Sequence, residues 1–162
     1  MLAEPARKAV AVEYCRRLNA GDLDGVLRLF APGASFEDPV GTPPVVGREA
    51  LRAHFAAVIA ARVHEVPGEP VAAQDGRQVA IGVVATLDYL PLGPGLVAAG
   101  LIDPAADPGT ARLRFNLFSL LDVGPDRLVH AVRVFWGGTD VRVVAGSAAG
   151  DPDRSPDPAA LA

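Results

Sequence analysis

Three residues of this 162-residue chain pair acid–base chemistry with an apolar setting: Asp38, Glu65 and Tyr14. Alternation in the stretch Ala34-Ser35-Phe36-Glu37-Asp38 puts Ala34, Phe36 and Asp38 on one face of a strand and Ser35 and Glu37 on the other. If that first face turns inward, desolvation raises the Asp38 pKa toward the range useful for proton transfer. An Asp directly before Pro39 is equally at home in a turn, capping local backbone N–H groups; on these residues alone the two readings balance. Glu65 shares a face with Val63 in the next alternating stretch. On the surface beside His64 it is an ordinary solvated Glu. Turned inward, it brings a second carboxyl to the same pocket. Two carboxyls whose surroundings push their pKa values apart supply a base for an attacking hydroxyl and an acid for a leaving oxygen. Tyr14 lies between Val10 and Leu18 at helical spacing. Its phenol either donates into the pocket, to a substrate oxygen or to Glu65, or is a core tyrosine bonded to a backbone carbonyl.

Other titratable groups point to less. His54 on a helix and His130 on a strand form no nucleophile or metal arrangement and read as structural or exposed. The lone Cys15 makes no internal disulfide, and no Cys/His cluster has zinc spacing. Asp88 falls opposite Leu87 and Tyr89 and reads as solvated; Asp103 and Asp107 lie in a Pro/Gly-rich excursion that could cover the pocket mouth. A net charge of −4 is the wrong sign for binding nucleic acid. With no apolar run of membrane length and no leader-like start in MLAEPARKAV, the expectation is a soluble, cytoplasmic protein.

The elements that must position these groups follow from periodicity. A helix is expected over 6–20, ended by Gly21, then a short one capped by Asp22 and carrying Leu23, Val26, Leu27 and Phe30, closed by Pro32-Gly33. After the Asp38 strand, Pro39, Gly41, Pro43 and Pro44 make a rigid turn, and a third helix starts near Gly47 with Leu51, Phe55, Val58 and Ile59 as its apolar stripe. Strands are expected over 62–66, 79–89, 111–123 and 127–136, the last two joined at Gly124-Pro125-Asp126. Helices followed by hairpin-linked strands indicate an α+β fold. A curved, mostly antiparallel sheet wrapped around the N-terminal helices would form a cone with an apolar pocket, a natural small-molecule site. One domain over 1–146 and a flexible tail over 147–162 complete this reading.

The run EYCRRLNAGDLDGVLRLFAPGASFEDPVGTPPVVGREALRAHF, with its helical Tyr, its EDP-x-G-x-PP segment and its G-R-E helix start, resembles the ketosteroid-isomerase-like (SnoaL-like) family, as does the closing VRVFWGG. The resemblance covers residues 8–146. Within that family, LDYLPLGP, DPGTARLR and Glu65 resemble the epoxide hydrolases of polyether ionophore biosynthesis. It implies a cofactor-free enzyme that opens an epoxide of a polyketide with an internal hydroxyl to form a cyclic ether. Asp38, Glu65 and Tyr14 would be catalytic, and Trp136, Ser119, Phe115, Leu117 and Phe55 would contact substrate. A homodimer through the outer sheet face, or pairing with a paralogous cyclase, is implied as well. One departure matters: the position of the isomerases' protonated Asp falls on Ser119, while Asn116 faces the other side of its strand. A serine is a poor stabiliser of a dienolate, so steroid isomerisation is disfavoured. A pyran-forming cyclase working by dehydration and conjugate addition, a double-bond isomerase and a non-catalytic accessory binding protein stay as alternatives.

Overall fold

A computed structural model describes residues 1–146. Helix α1 (Glu4–Asn19) opens with Pro5 in its first turn, where a missing N–H costs no hydrogen bond. It ends at Gly21, whose φ of 67° is left-handed. There the Gly21 N–H donates to the Leu18 carbonyl and the Asp22 N–H to that of Arg17, the double bond of a Schellman closure. Asp22 then caps α2 (Leu23–Leu27), its carboxylate accepting from the Gly25 N–H at 2.9 Å.

Strand β1 (Phe30–Glu37) begins earlier than the periodicity suggests: Phe30 belongs to it rather than to the second helix. Pro32 and Gly33, read as helix closers, lie inside this strand. Its pairing steps from Phe30 opposite Val129 to Ser35 opposite Ala131, so extra residues bulge out where proline has no N–H to give. The two-residue strand β2 (Val45–Val46) pairs with β1 and leads into α3 (Arg48–Ala60).

The remaining strands are β3 (His64–Pro67), β4 (Val71–Ala72), β5 (Gln78–Asp88), β6 (Arg112–Val123), β7 (Val129–Phe135) and β8 (Val141–Val144). The sheet runs β2-β1-β7-β6-β5-β3, with β4 beside β5 and β8 beside β6. Every pairing is antiparallel except β1 with β7. The fold is thus α+β, as expected. Along β5 and β6 the buried and accessible residues alternate, so one face of the pair is core and the other is outer surface. Phe30, Leu51, Phe55, Ile81, Leu113 and Leu121 are fully buried between the helices and that inner face. The Pro/Gly-rich excursion holds a short helix, α4 (Gly93–Ala98). The tail expected over 147–162 lies outside the described residues.

Candidate active site

A cavity of about 360 Å³ opens between α1, α3 and the inner face of the sheet. Each wall follows from a local period. Tyr14 and Leu18 sit one turn apart on α1, and His54, Ala57, Val58 and Ala61 recur at i, i+3, i+4 and i+7 along α3. Val63 and Glu65 alternate inward from β3, Ala85 and Leu87 from β5, and Phe115 and Leu117 from β6. Trp136 follows β7, while Pro91 and Leu92 precede α4. Among the described residues, no Lys or Arg lines the cavity.

Glu65 is 8% exposed, and its Oε2 is buried without a hydrogen-bond partner among the described residues. Burial pushes its pKa up to about 7; the neighbouring Cys15 thiol pulls the other way, and the negative charge of Asp38 adds to the rise. Near neutral pH the Glu65 carboxyl therefore exists in both its protonated and its charged form, so that it can give or take a proton. Tyr14 packs edge-on against Phe30 and Phe55, each with ring centroids 6.0 Å away. Its pKa is raised by burial first and then by the Glu65 charge, so the phenol keeps its proton.

Asp38, just past β1, is the more accessible of the two acids and lies toward solvent at the cavity wall. Its Oδ1 accepts a 2.7 Å hydrogen bond from the Trp136 indole Nε1–H. Burial still raises its pKa, against the indole bond and the nearby His54, which both favour the carboxylate. His54 rests against Phe36 with ring centroids 4.9 Å apart, and burial lowers its pKa despite Asp38, so it is neutral at neutral pH. The site thus offers a carboxylate oriented by an indole, a carboxyl deeper in that still holds its proton as pH approaches 7, a phenol and an imidazole.

The expected residues do not all meet there. Asp38, Glu65, Tyr14, Phe115, Leu117 and Trp136 line one cavity, and Trp136 stacks edge-on against Phe115 at 5.0 Å. Phe55 and Ser119, expected as substrate contacts, stand outside that lining. Phe55 is fully buried behind the wall, with its ring 5.3 Å from those of Phe30, Phe36 and His54, because it sits on the α3 stripe that faces the core. Ser119 faces the same side of β6 as Leu117 but one step farther along, opposite Ile81 and Val134, in the packed interior. His54 is the residue that sequence reasoning set aside. The signal for it is the small-residue face it shares with Ala57, Val58 and Ala61, one step around the helix from the stripe of larger residues. His130, by contrast, bonds Asp126 at 3.0 Å on the exposed hairpin, as expected of a structural histidine.

Among the described residues, no group of three or more His, Cys, Asp or Glu side chains converges to hold a metal ion, and no helix is long and apolar enough to cross a membrane.

The chain is similar to known proteins in both sequence and fold. It is 45% identical over 143 residues to the epoxide hydrolase LasB of Streptomyces lasalocidi; the match covers 87% of this chain and 51% of LasB, so the chain spans about half the length of that relative. The solved structure of SalBIII, described as an epoxide hydrolase/cyclase-like enzyme with a role in pyran ring formation in the polyether salinomycin, superposes with a TM-score of 0.74. Its sequence is 33% identical, and the match covers 87% of this chain and 98% of SalBIII. RV0760c from Mycobacterium tuberculosis, at 18% identity, shares the fold with a TM-score of 0.70 over 89% of this chain and all of its own. The SnoaL-like domain family profile matches residues 11–130. The chain belongs to the SnoaL-like domain family.

Proposed function

We propose that the protein is an epoxide hydrolase/cyclase of polyether biosynthesis, which closes a cyclic ether by opening an epoxide with a hydroxyl of the same polyketide molecule. One observation carries the reading: Glu65 is buried, its pKa is pushed up to about 7 and its Oε2 has no partner, in a cavity that it shares with Asp38 and that no Lys or Arg among the described residues lines. The similarity to LasB and SalBIII supports it.

The chemistry follows from the two environments. The Asp38 carboxylate, held by the Trp136 indole, accepts the proton of the substrate hydroxyl. That oxygen attacks the epoxide carbon from the side opposite the C–O bond, which breaks as the ether bond forms. The electron pair leaves on the epoxide oxygen, and Glu65 delivers its proton there, with the Tyr14 O–H as a second donor. The product is an isomer of the substrate. Asp38 then carries the proton and Glu65 the charge, and exchange with water at the mouth resets both. Apolar walls of Phe115, Leu117, Leu87 and Val58 fold the chain so that hydroxyl and epoxide meet without water between them.

The test uses the purified chain with a simple 4,5-epoxyalkan-1-ol and mass-resolved product analysis. An isomeric cyclic ether, lost in Asp38→Asn and Glu65→Gln variants that stay folded, is the expected result. Addition of one water would make the protein a plain hydrolase, and full activity in both variants would refute the mechanism. A second reading is supported by the likeness to SalBIII: formation of a pyran from a hydroxylated enone by dehydration and conjugate addition, with Asp38 as the base. Loss of water from such a precursor would select it.

The protein is also proposed to act in the cytoplasm and as a homodimer. The outer sheet face supports the second point, since Phe118 and Phe135 are direct cross-strand partners there and are 50% and 42% exposed. Light scattering on the parent and on Phe118→Asp tests it; a monomeric parent would exclude the dimer.

A further inference from the structure

Strand β3 is the edge of the sheet, and an edge strand shows every second backbone N–H and C=O to solvent. At Glu65 those two groups are not free. The Asn19 side chain, on the last residue of α1, meets both: its Nδ2 donates to the Glu65 carbonyl at 2.7 Å, and its Oδ1 accepts from the Glu65 N–H at 2.6 Å. The side-chain amide reproduces what a neighbouring strand would offer, at a single residue. That residue is the buried acid of the cavity. Its opposite number across the ladder is Ala85. The backbone groups of Glu65 turn toward α1 and away from β5, as they do at the non-hydrogen-bonded positions of an antiparallel pair.

The same helix also supplies the surroundings of the Glu65 side chain. Tyr14 lines the cavity with it, and Cys15 and Leu18 are buried on the same face of α1. Without Asn19, the backbone at Glu65 would be tied to α1 only by packing. The closure at Gly21, two residues on, ends the helix and fixes where the Asn19 amide is presented.

We infer that Asn19 is a positioning residue for the reaction: its amide clamps the backbone of Glu65 and so fixes where the Glu65 carboxyl sits in the wall of the cavity. The inference rests on the acid role proposed for Glu65. It is distinct from a plain edge cap, which would protect the strand and leave the chemistry alone.

The test compares the full chain with Asn19→Ala, Asn19→Gln and Glu65→Gln. Three quantities are read: kcat and KM for a 4,5-epoxyalkan-1-ol, the pH at which the alkaline limb of kcat falls, and hydrogen exchange of the Glu65 amide by NMR. Asn19→Ala should lose about tenfold in kcat with KM little changed, the scale of a modest misplacement of a catalytic group. Its alkaline limb should move, and the Glu65 amide should lose its protection. Asn19→Gln, carrying the same amide on one more methylene, should recover part of both. If Glu65→Gln is inactive while Asn19→Ala keeps the parental kcat and pH limb, Asn19 is only an edge cap and the inference falls with the acid role intact. If Glu65→Gln is fully active, the acid role itself fails. Should Asn19→Ala not fold, the parent still decides: a Glu65 amide that exchanges as fast as an unprotected one would overturn the clamp.

Discussion

The two sides of the sheet treat acidic side chains in opposite ways. On the outer face Asp88, opposite Arg112, accepts hydrogen bonds from Arg62 at 2.6 and 2.8 Å and from Arg112 at 2.7 Å. These bonds hold its carboxyl below its usual pKa. Asp122 with Arg77 and Glu37 with Arg133 form further ion pairs on that side of the sheet. On the cavity side no Lys or Arg among the described residues reaches Glu65 or Asp38, and desolvation drives both carboxyls upward. The residue types are the same, so what separates an acid that ties strands together from one poised to move protons is the company each keeps. Leaving a buried acid unpaired opposes stability, and it is tolerated where its proton has work to do.

The largest effect expected from breaking this contrast is on turnover. Glu65→Gln and Asp38→Asn should each lower kcat by about 10²- to 10⁴-fold, the usual range for a positioned general acid or base. Asp88→Asn should leave kcat within twofold, since its partners are arginines on the far face. Steady-state kinetics on the three variants measures this directly, and an Asp88→Asn variant as impaired as the other two would erase the distinction.

Stability against pH should next separate the faces by sign. Glu65 has a folded pKa of about 7, raised from 4.5. The folded state therefore keeps a proton that the unfolded chain has already lost, and the stability present below pH 4.5 is lost as pH rises to 7. Glu65→Gln removes that slope. Relative to the parent, the variant should gain up to about 3 kcal/mol between pH 4 and pH 8, from the full width of the shift. Asp88 runs the other way: its lowered pKa stabilises the fold above pH 3.8, and that contribution disappears as pH falls through the folded value. Asp88→Asn should cost about 0.5–1 kcal/mol at neutral pH, less in high salt, and little in acid. Urea unfolding at several pH values gives both trends. Parallel pH curves for the parent and Glu65→Gln would show that Glu65 is not a buried, protonated acid.

How much of this was legible in the sequence depends on the length of the period involved. The faces of α1, α3, β5, β6 and β7 recur over enough residues for hydrophobic alternation to reveal them, and with them the inward aim of Tyr14; Asp38, just past β1, and Glu65, on the four-residue β3, had both an inward and a solvated reading open on the residues alone. Strands β2, β4 and β8 have two to four residues, too few for a period, and exist because a longer neighbour offers them hydrogen-bonding groups. Pro32 and Gly33 read as punctuation, yet β1 absorbs them in a bulge, a tertiary outcome that local chemistry does not announce. The counterparts of the acids were legible only in part. That Asp88 sits between two arginines follows from strand register, and that Asn19 meets Glu65 follows from how α1 lies on a strand 46 residues away. Neither has a sequence spacing to betray it.

The histidines offer the smallest and sharpest form of the comparison. His54 and His130 were alike in sequence, each a lone imidazole on an apolar element. In the fold, His130 pairs with Asp126 on the exposed hairpin, and His54 is packed on Phe36 beside Asp38. A phenylalanine at either position keeps an aromatic ring and removes only the titrating group. His130→Phe should leave the pH profile of kcat unchanged. His54 favours the charged form of Asp38, so its loss lets burial act unopposed from that side. In His54→Phe the acid limb of kcat, where Asp38 takes up its proton, should move to higher pH, with kcat above that limb within about twofold of the parent if the imidazole only tunes the base. An unmoved limb would make His54 a packing residue. A general collapse of kcat at every pH would instead mean that the imidazole touches the reacting atoms, and the division of labour between the two carboxyls would have to include it.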